Sequence, residues 1–213
     1  MDGNRRWAKS HNLPSLEGHR AGSNRLEECV RYVKARGIPH LIVYAFSTEN
    51  WNRSEEEVSY LMRLILEGIT YKAKKLSDEG ARIRCIGLRA QLPASVLEAV
   101  EKIEQESAHN TALTVWICLS YGGRTELVAA ANGAATLGTI TEETLAKHLW
   151  TAEMPDPDLV IRTGGRHRLS NFLPWQTTYS ELFFVDTLWP DFGEKEFDDI
   201  LTTFAERIRT FGV

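Results

Sequence analysis

The sequence predicts an α/β fold, with a mainly parallel central sheet flanked by helices. Short apolar runs alternate with longer segments whose apolar residues recur at helical spacing, which is the pattern of βαβ units. Several of those runs stop at clusters of polar, Gly and Arg residues, as expected where parallel strands gather ligand-binding loops at their carboxyl ends. No repeat, low-complexity run or linker divides the 213 residues, so residues 1–213 are expected to form a single domain.

The chain opens on Met1-Asp2-Gly3-Asn4-Arg5-Arg6-Trp7-Ala8-Lys9. Asp suits Mg²⁺, a Gly backbone lets N–H groups face phosphate, and the Arg pair neutralises it. A frayed basic terminus is the alternative reading of the same residues. The turn Asn12-Leu13-Pro14-Ser15 leads through Gly18-His19-Arg20-Ala21-Gly22 to an amphipathic helix over Ser23–Ala35, with Gly37 as its stop. Leu41–Phe46 reads as a strand ending in Ser47-Thr48-Glu49-Asn50-Trp51-Asn52-Arg53. Ser54 and Glu57 form a capping box for a helix over Glu55–Asp78, whose Val58, Leu61, Met62, Ile65, Leu66 and Ile69 make a stripe. That stripe is core or, against a sheet face, the wall of an apolar tunnel.

Ala81–Gly87 is the next strand, Ser95–Ser107 the next helix, and Leu113–Leu119 a strand that runs into Ser120-Tyr121-Gly122-Gly123-Arg124. Helices follow over Thr125–Ala135 and Glu142–Leu149. The strand Leu159-Val160-Ile161 then runs into Arg162-Thr163-Gly164-Gly165-Arg166-His167-Arg168-Leu169-Ser170-Asn171-Phe172, where a Gly pair is ringed by cations. Arg162, Arg168 and Ser170 suit a diphosphate, since a guanidinium fork meets two phosphate oxygens at once; a solvated basic turn is the bland reading. Glu181–Val185 is the last strand, Trp189-Pro190-Asp191-Phe192 breaks it, and a helix over Glu196–Ile208 closes the chain.

With 43% hydrophobic residues the chain can bury a sizeable core, and a net charge of -4 argues against a nucleic-acid binder. Cys29, Cys85 and Cys118 lack metal spacing and read as buried thiols of a reducing compartment. Without a signal peptide or an apolar run of membrane-spanning length, a soluble cytoplasmic protein is expected. There is no Walker A loop, no Gly-x-Gly-x-x-Gly after a strand, and no Ser or Cys partner for His19 or His167. The convergent loops offer carboxylates at Asp2, Glu49 and Glu181 and more cations than one phosphate needs. A reaction in which diphosphate leaves, eased by Mg²⁺ and Arg, fits that set.

Met-Asp-Gly-Asn-x-Arg-Trp-Ala, Gly-His-x-x-Gly, Tyr-Ala-Phe-Ser-Thr-Glu-Asn-Trp-x-Arg, Ser-Tyr-Gly-Gly-Arg, Ile-Arg-Thr-Gly-Gly-x-x-Arg-x-Ser-Asn-Phe and Glu-Leu…Trp-Pro-Asp-Phe together closely resemble the cis-prenyltransferases, above all the bacterial carrier-lipid enzymes. The resemblance is collinear from Met1 almost to Val213. It implies a homodimeric, Mg²⁺-dependent enzyme that adds isopentenyl diphosphate to an allylic diphosphate such as farnesyl diphosphate, with transient membrane association for product release. In that likeness Asp2 is the catalytic, metal-binding acid and Glu181 a second metal ligand, while His167 reaches the metal of the other subunit. Gly3, Asn4, Arg5, Arg6, Trp7 and His19 hold the allylic substrate, with Ser47, Thr48, Glu49 and Trp51 beside it. Arg53 handles diphosphate, and Arg162, Arg168, Leu169 and Ser170 bind isopentenyl diphosphate. Asn50 positions a proton path, an amide being a poor base. The growing chain lies in a tunnel between the long helix and a sheet with Ala45 and Leu113.

The family has a strand before Met-Asp-Gly, so a start at Met1 implies a missing strand or a start upstream and would leave Asp2 on a frayed end. Ser15, Leu88, Arg166 and Thr210 replace an Arg, an Asp, an acid and an Arg common in the family, which implies altered affinity rather than a lost reaction. A short-chain or irregular cis-prenyl synthase, and a non-catalytic prenyl-diphosphate-binding subunit, are the alternatives. The alternating strands and the absence of Asp-Asp-x-x-Asp pairs exclude the all-helical trans enzymes.

Overall fold

Each of the five apolar runs becomes a strand: β1 (His40–Ser47), β2 (Ala81–Ile86), β3 (Leu113–Tyr121), β4 (Leu159–Arg162) and β5 (Glu181–Phe184). The computed structural model describes residues 1–207, so the predicted helix end at Ile208 and the Thr210 position lie outside the described residues. Among the described residues all strand pairings are parallel. The strands form a three-stranded sheet, β1-β3-β2, and a two-stranded sheet, β4-β5. In the first, Val43 stands opposite Ile117 and Ile83 opposite Val115; in the second, Leu159 pairs with Glu181 and Arg162 with Phe184.

Strand β3 shows the two-sided burial of a central parallel strand. Leu113, Val115, Ile117 and Leu119 face the larger core, and Trp116 and Cys118 a smaller cluster with Met154 and Leu173. Ser120, at φ 49°, breaks the alternation and puts Tyr121 on the smaller side. Leu159, Ile161, Phe183, Val185 and Met1 all pack against the larger core, so both sheets share it.

The helices are α1 (Asn4–Ser10), α2 (Ser15–Ala35), α3 (Glu55–Glu67), α4 (Lys74–Asp78), α5 (Ala94–Glu106), α6 (Gly123–Ala135), α7 (Glu142–His148) and α8 (Glu194–Ala205). One π turn, Gly68–Ala73, joins α3 to α4, so the predicted Glu55–Asp78 helix is a single rod with a bulge. α2 starts eight residues before the expected Ser23. Gly18 and Gly22 are not turn residues: a Cβ on Gly18 would lie 2.0 Å from the Asn4 carbonyl oxygen and one on Gly22 2.3 Å from Asn4 Oδ1. They let α1 pack directly on α2. The chain's opening is therefore an ordered helix rather than a frayed end. In the first turn of α6, the fully buried Glu126 accepts hydrogen bonds from the Tyr121 hydroxyl, Thr151 N and Oγ1, and Gln176 Nε2. The three cysteines are free and buried. Among the described residues no helix is long and apolar enough to cross a membrane.

Candidate active site

Asp2 is pinned between the carboxyl end of β4 and the N-terminus of α1. Its N–H donates to Thr163 Oγ1 at 3.0 Å, and its carbonyl accepts from Thr163 Oγ1 at 2.8 Å and from Trp189 N at 3.0 Å. Gly164 is required beside it. At φ 84° its missing Cβ leaves space 2.5 Å from an Arg6 guanidinium nitrogen and 3.1 Å from the Asp2 carbonyl.

The Asp2 carboxylate accepts from Arg162 Nη2 at 3.0 Å and from Arg6 Nη2 at 3.3 Å. Burial alone would raise its pKa, but the Arg162 hydrogen bond and the charges of Arg162 and Arg6 outweigh burial and hold it below the usual value. Asp2 is therefore ionised at neutral pH. Arg162 Nη1 also donates to the Arg168 carbonyl and to Ser170 Oγ, the latter at 2.8 Å; Arg168 Nε reaches the same hydroxyl at 3.2 Å. Arg162, Arg168 and Ser170 thus form the predicted donor set, against Asp2. Leu169, half-buried, accepts from Phe172 N and braces the turn.

A second group forms around a residue the sequence reading missed. Glu57 lies 2.9 Å from Arg53, 3.6 Å from His19 and 3.9 Å from Arg5, holding three predicted phosphate ligands side by side. Its place in the capping box masked this role. The half of that box the structure keeps is Glu57 N donating to Ser54 Oγ. His19 is lowered from its ordinary value by burial first and then by the Arg53 charge, against the opposing pull of Glu57. Among the described residues its Nε2 and Asn4 Oδ1 are buried without a hydrogen-bond partner, and both residues line a cavity of about 160 Å³. Ala45, Leu61, Ile65, Ile69, Val115 and Ile117 wall that cavity. Leu113 does not: it is fully buried in the core.

The β1 exit supplies a third side. Asn50 Oδ1 accepts from Ser47 N at 3.1 Å, and Trp51 Nε1 donates to Ser120 Oγ at 2.8 Å. Thr48 Oγ1 donates to Glu49 at 3.3 Å, and Asn171 Nδ2 donates to Glu49 Oε1 at 2.7 Å. Trp7 is turned to packing, stacked on His11 and donating to Asp191 at 2.7 Å, while Gly3, at φ 115°, turns the chain into α1.

One predicted ligand is not brought in. Glu181 starts β5, at the opposite edge of the two-stranded sheet from Arg162, and pairs with Arg207. Within this chain it does not meet Asp2. His167 is exposed, its ring 5.1 Å from that of Phe184. Of the departing positions, Ser15 starts α2, Leu88 N donates to the Ser120 carbonyl, and Arg166 is exposed. No signal in the sequence linked Thr163 to Asp2 or Asn171 to Glu49, which are more than a hundred residues apart.

Comparison with known proteins gives the family. The family model described as "Putative undecaprenyl diphosphate synthase" matches residues 1–212. An isoprenyl transferase of Neisseria meningitidis serogroup B is 46% identical over 100% of this chain and 86% of its own, and one of Fusobacterium nucleatum is 44% identical over 100% and 93%. Lavandulyl diphosphate synthase from Lavandula x intermedia, solved with dimethylallyl diphosphate, superposes with a TM-score of 0.96 at 35% identity, covering 100% of this chain and 95% of that one. A probable undecaprenyl diphosphate synthase from Campylobacter jejuni gives 0.83 at 33% identity, covering 91% and 93%. The chain belongs to the undecaprenyl diphosphate synthase family of isoprenyl transferases and is an enzyme that transfers prenyl groups.

Proposed function

We propose that this enzyme condenses isopentenyl diphosphate with an allylic diphosphate, farnesyl diphosphate being the model primer, to make a cis-polyprenyl diphosphate of undecaprenyl type. The observation that carries the reading is Asp2 between the Arg162–Arg168–Ser170 set and Arg6, next in sequence to Met1, which lines an apolar cavity. Arg162, Arg168 and Ser170 hold isopentenyl diphosphate. Arg5, Arg6, Arg53, His19 and Asn4 hold the allylic diphosphate, with Glu57 keeping three of them in register. C1 of the allylic unit bonds to C4 of isopentenyl diphosphate, the allylic diphosphate leaves, and a proton is lost from C2 to set the new double bond. Asn50, held by Ser47 N, orients the path by which that proton departs. The cavity takes up the lengthening chain.

The residues fit Mg²⁺: Asp2 is a hard oxygen donor, ionised and partly exposed among diphosphate-binding cations. Held by Asp2 and phosphate oxygens, the ion would neutralise charge building on the departing diphosphate. The working form in this reading is a cytoplasmic homodimer, in which His167 and Glu181 join a metal shared with the other subunit only once diphosphate has bound, and which touches the membrane to release product.

The high likeness to lavandulyl diphosphate synthase supports a second reading, a short or irregular prenyl product. Incubation with radiolabelled isopentenyl diphosphate, farnesyl diphosphate and Mg²⁺, beside an Asp2→Ala control, decides between them when products are sized by chromatography. Long products that vanish in the control are expected. Short products select the second reading, and no turnover by folded protein overturns both.

A further inference from the structure

We infer that Asn171 is a positioning residue that sets the isopentenyl diphosphate site by latching its loop to the loops after β1 and β3, an inference that rests on the function proposed above. Every polar group of Asn171 beyond its own N–H is used across a loop boundary. Its side-chain oxygen accepts from Arg124 N at 2.8 Å and its carbonyl from Gly123 N at 2.9 Å, so it caps the start of α6 from another part of the chain. Its amide donates to Glu49 at 2.7 Å. Ser170 and Asn171 both hold left-handed backbone, φ 51° and 67°, a conformation these latches must maintain. Ser170 Oγ is the atom on which both Arg162 and Arg168 converge. A shift of the latch therefore moves the hydroxyl that organises both guanidinium groups. The approach also demands glycine: a Cβ on Gly122 would lie 2.4 Å from Thr48 Oγ1 and 2.9 Å from Asn171 Nδ2.

The test uses Asn171→Asp, which tolerates the left-handed backbone and can still accept from Arg124 N, but faces the Glu49 carboxylate with an acceptor instead of a donor. Isopentenyl diphosphate binding to the full chain is measured by calorimetry, with thermal unfolding recorded in parallel. Asn171→Asp should weaken binding about tenfold. Glu49→Gln combined with Asn171→Asp restores a donor–acceptor pair with the roles exchanged and leaves the net charge as it was. It should return affinity to within about threefold of wild type. Unchanged binding in the single variant, or a double variant as weak as the single one, would overturn the assignment. Failure of the wild type to bind isopentenyl diphosphate would overturn the proposed function together with it.

Discussion

Glu57 stands within 3.9 Å of Arg53, His19 and Arg5, at a position that the local pattern reads only as the third residue of a helix cap. Its carboxylate is one of the few influences that raise the His19 pKa, set against burial and the Arg53 charge, which lower it. Because the folded value lies below 6.5, the unfolded chain binds the proton first as pH falls, and stability drains away between 6.5 and the folded value. Glu57→Gln should depress the His19 value further, read from the imidazole resonances in an NMR titration, and should raise the KM for the allylic diphosphate about tenfold as Arg53 and Arg5 loosen. A His19 value that stays put or climbs in that variant would show that Glu57 is not its electrostatic partner. That Arg162, Arg168 and Ser170 come together was legible because one short motif carries all three. Glu57, Asn171 and Thr163 were not, since each acts on a side chain supplied by a distant segment.

Along α2 and α3 the cross-links run out of step and then in step. From Tyr60, bonded to the Leu16 carbonyl, to Lys72, bonded to Ser23, α3 advances twelve residues while α2 advances seven. Beyond that point Lys75 meets Glu27 and Arg31 meets Glu79, four residues on for four. The π turn overlaps this out-of-step span, and the cavity lies between the two helices there, with Ser23 and Leu26 on one wall and Leu61, Ile65 and Ile69 on the other. The apolar stripe was legible as a helix face, but not its bulge, because π geometry leaves no mark in the periodicity. If the lengthening chain lies here, each five-carbon unit gains up to about 4 kcal/mol by leaving water. Ala73, buried in the π turn and lining the cavity, is where added bulk should tell. Ala73→Leu should shorten the dominant product by about one isoprene unit. Tyr71→Ala, two residues away but 72% exposed, should leave it unchanged. An unaltered chain-length distribution in active Ala73→Leu enzyme would place the growing chain elsewhere.

The strands, their parallel sense and the gathering of polar loops at their carboxyl ends could be read from alternating apolar runs, because buried parallel strands need continuous hydrophobicity. The division into a three-stranded and a two-stranded sheet could not, since pairing partners are set by packing over the whole molecule rather than by any segment. That division bears on the metal. Asp2 lies at the carboxyl end of β4, whereas Glu181 starts β5 at the far edge, about 10 Å along the strands at 3.3 Å per residue, and is engaged by Arg207. Among the described residues no three His, Cys, Asp or Glu side chains come together as a metal site. A small, strongly hydrated ion held by so few protein ligands keeps much of its water until phosphate oxygens complete its shell. Mg²⁺ titrated into the protein alone should give little saturable heat, and tight binding should appear once a non-hydrolysable farnesyl diphosphate analogue is present. Asp2→Asn should abolish that gain while leaving the fold intact, because the backbone bonds of Asp2 to Thr163 and Trp189 do not involve its carboxylate. Tight Mg²⁺ binding without diphosphate would mean that ligands from a second subunit complete the site before substrate arrives.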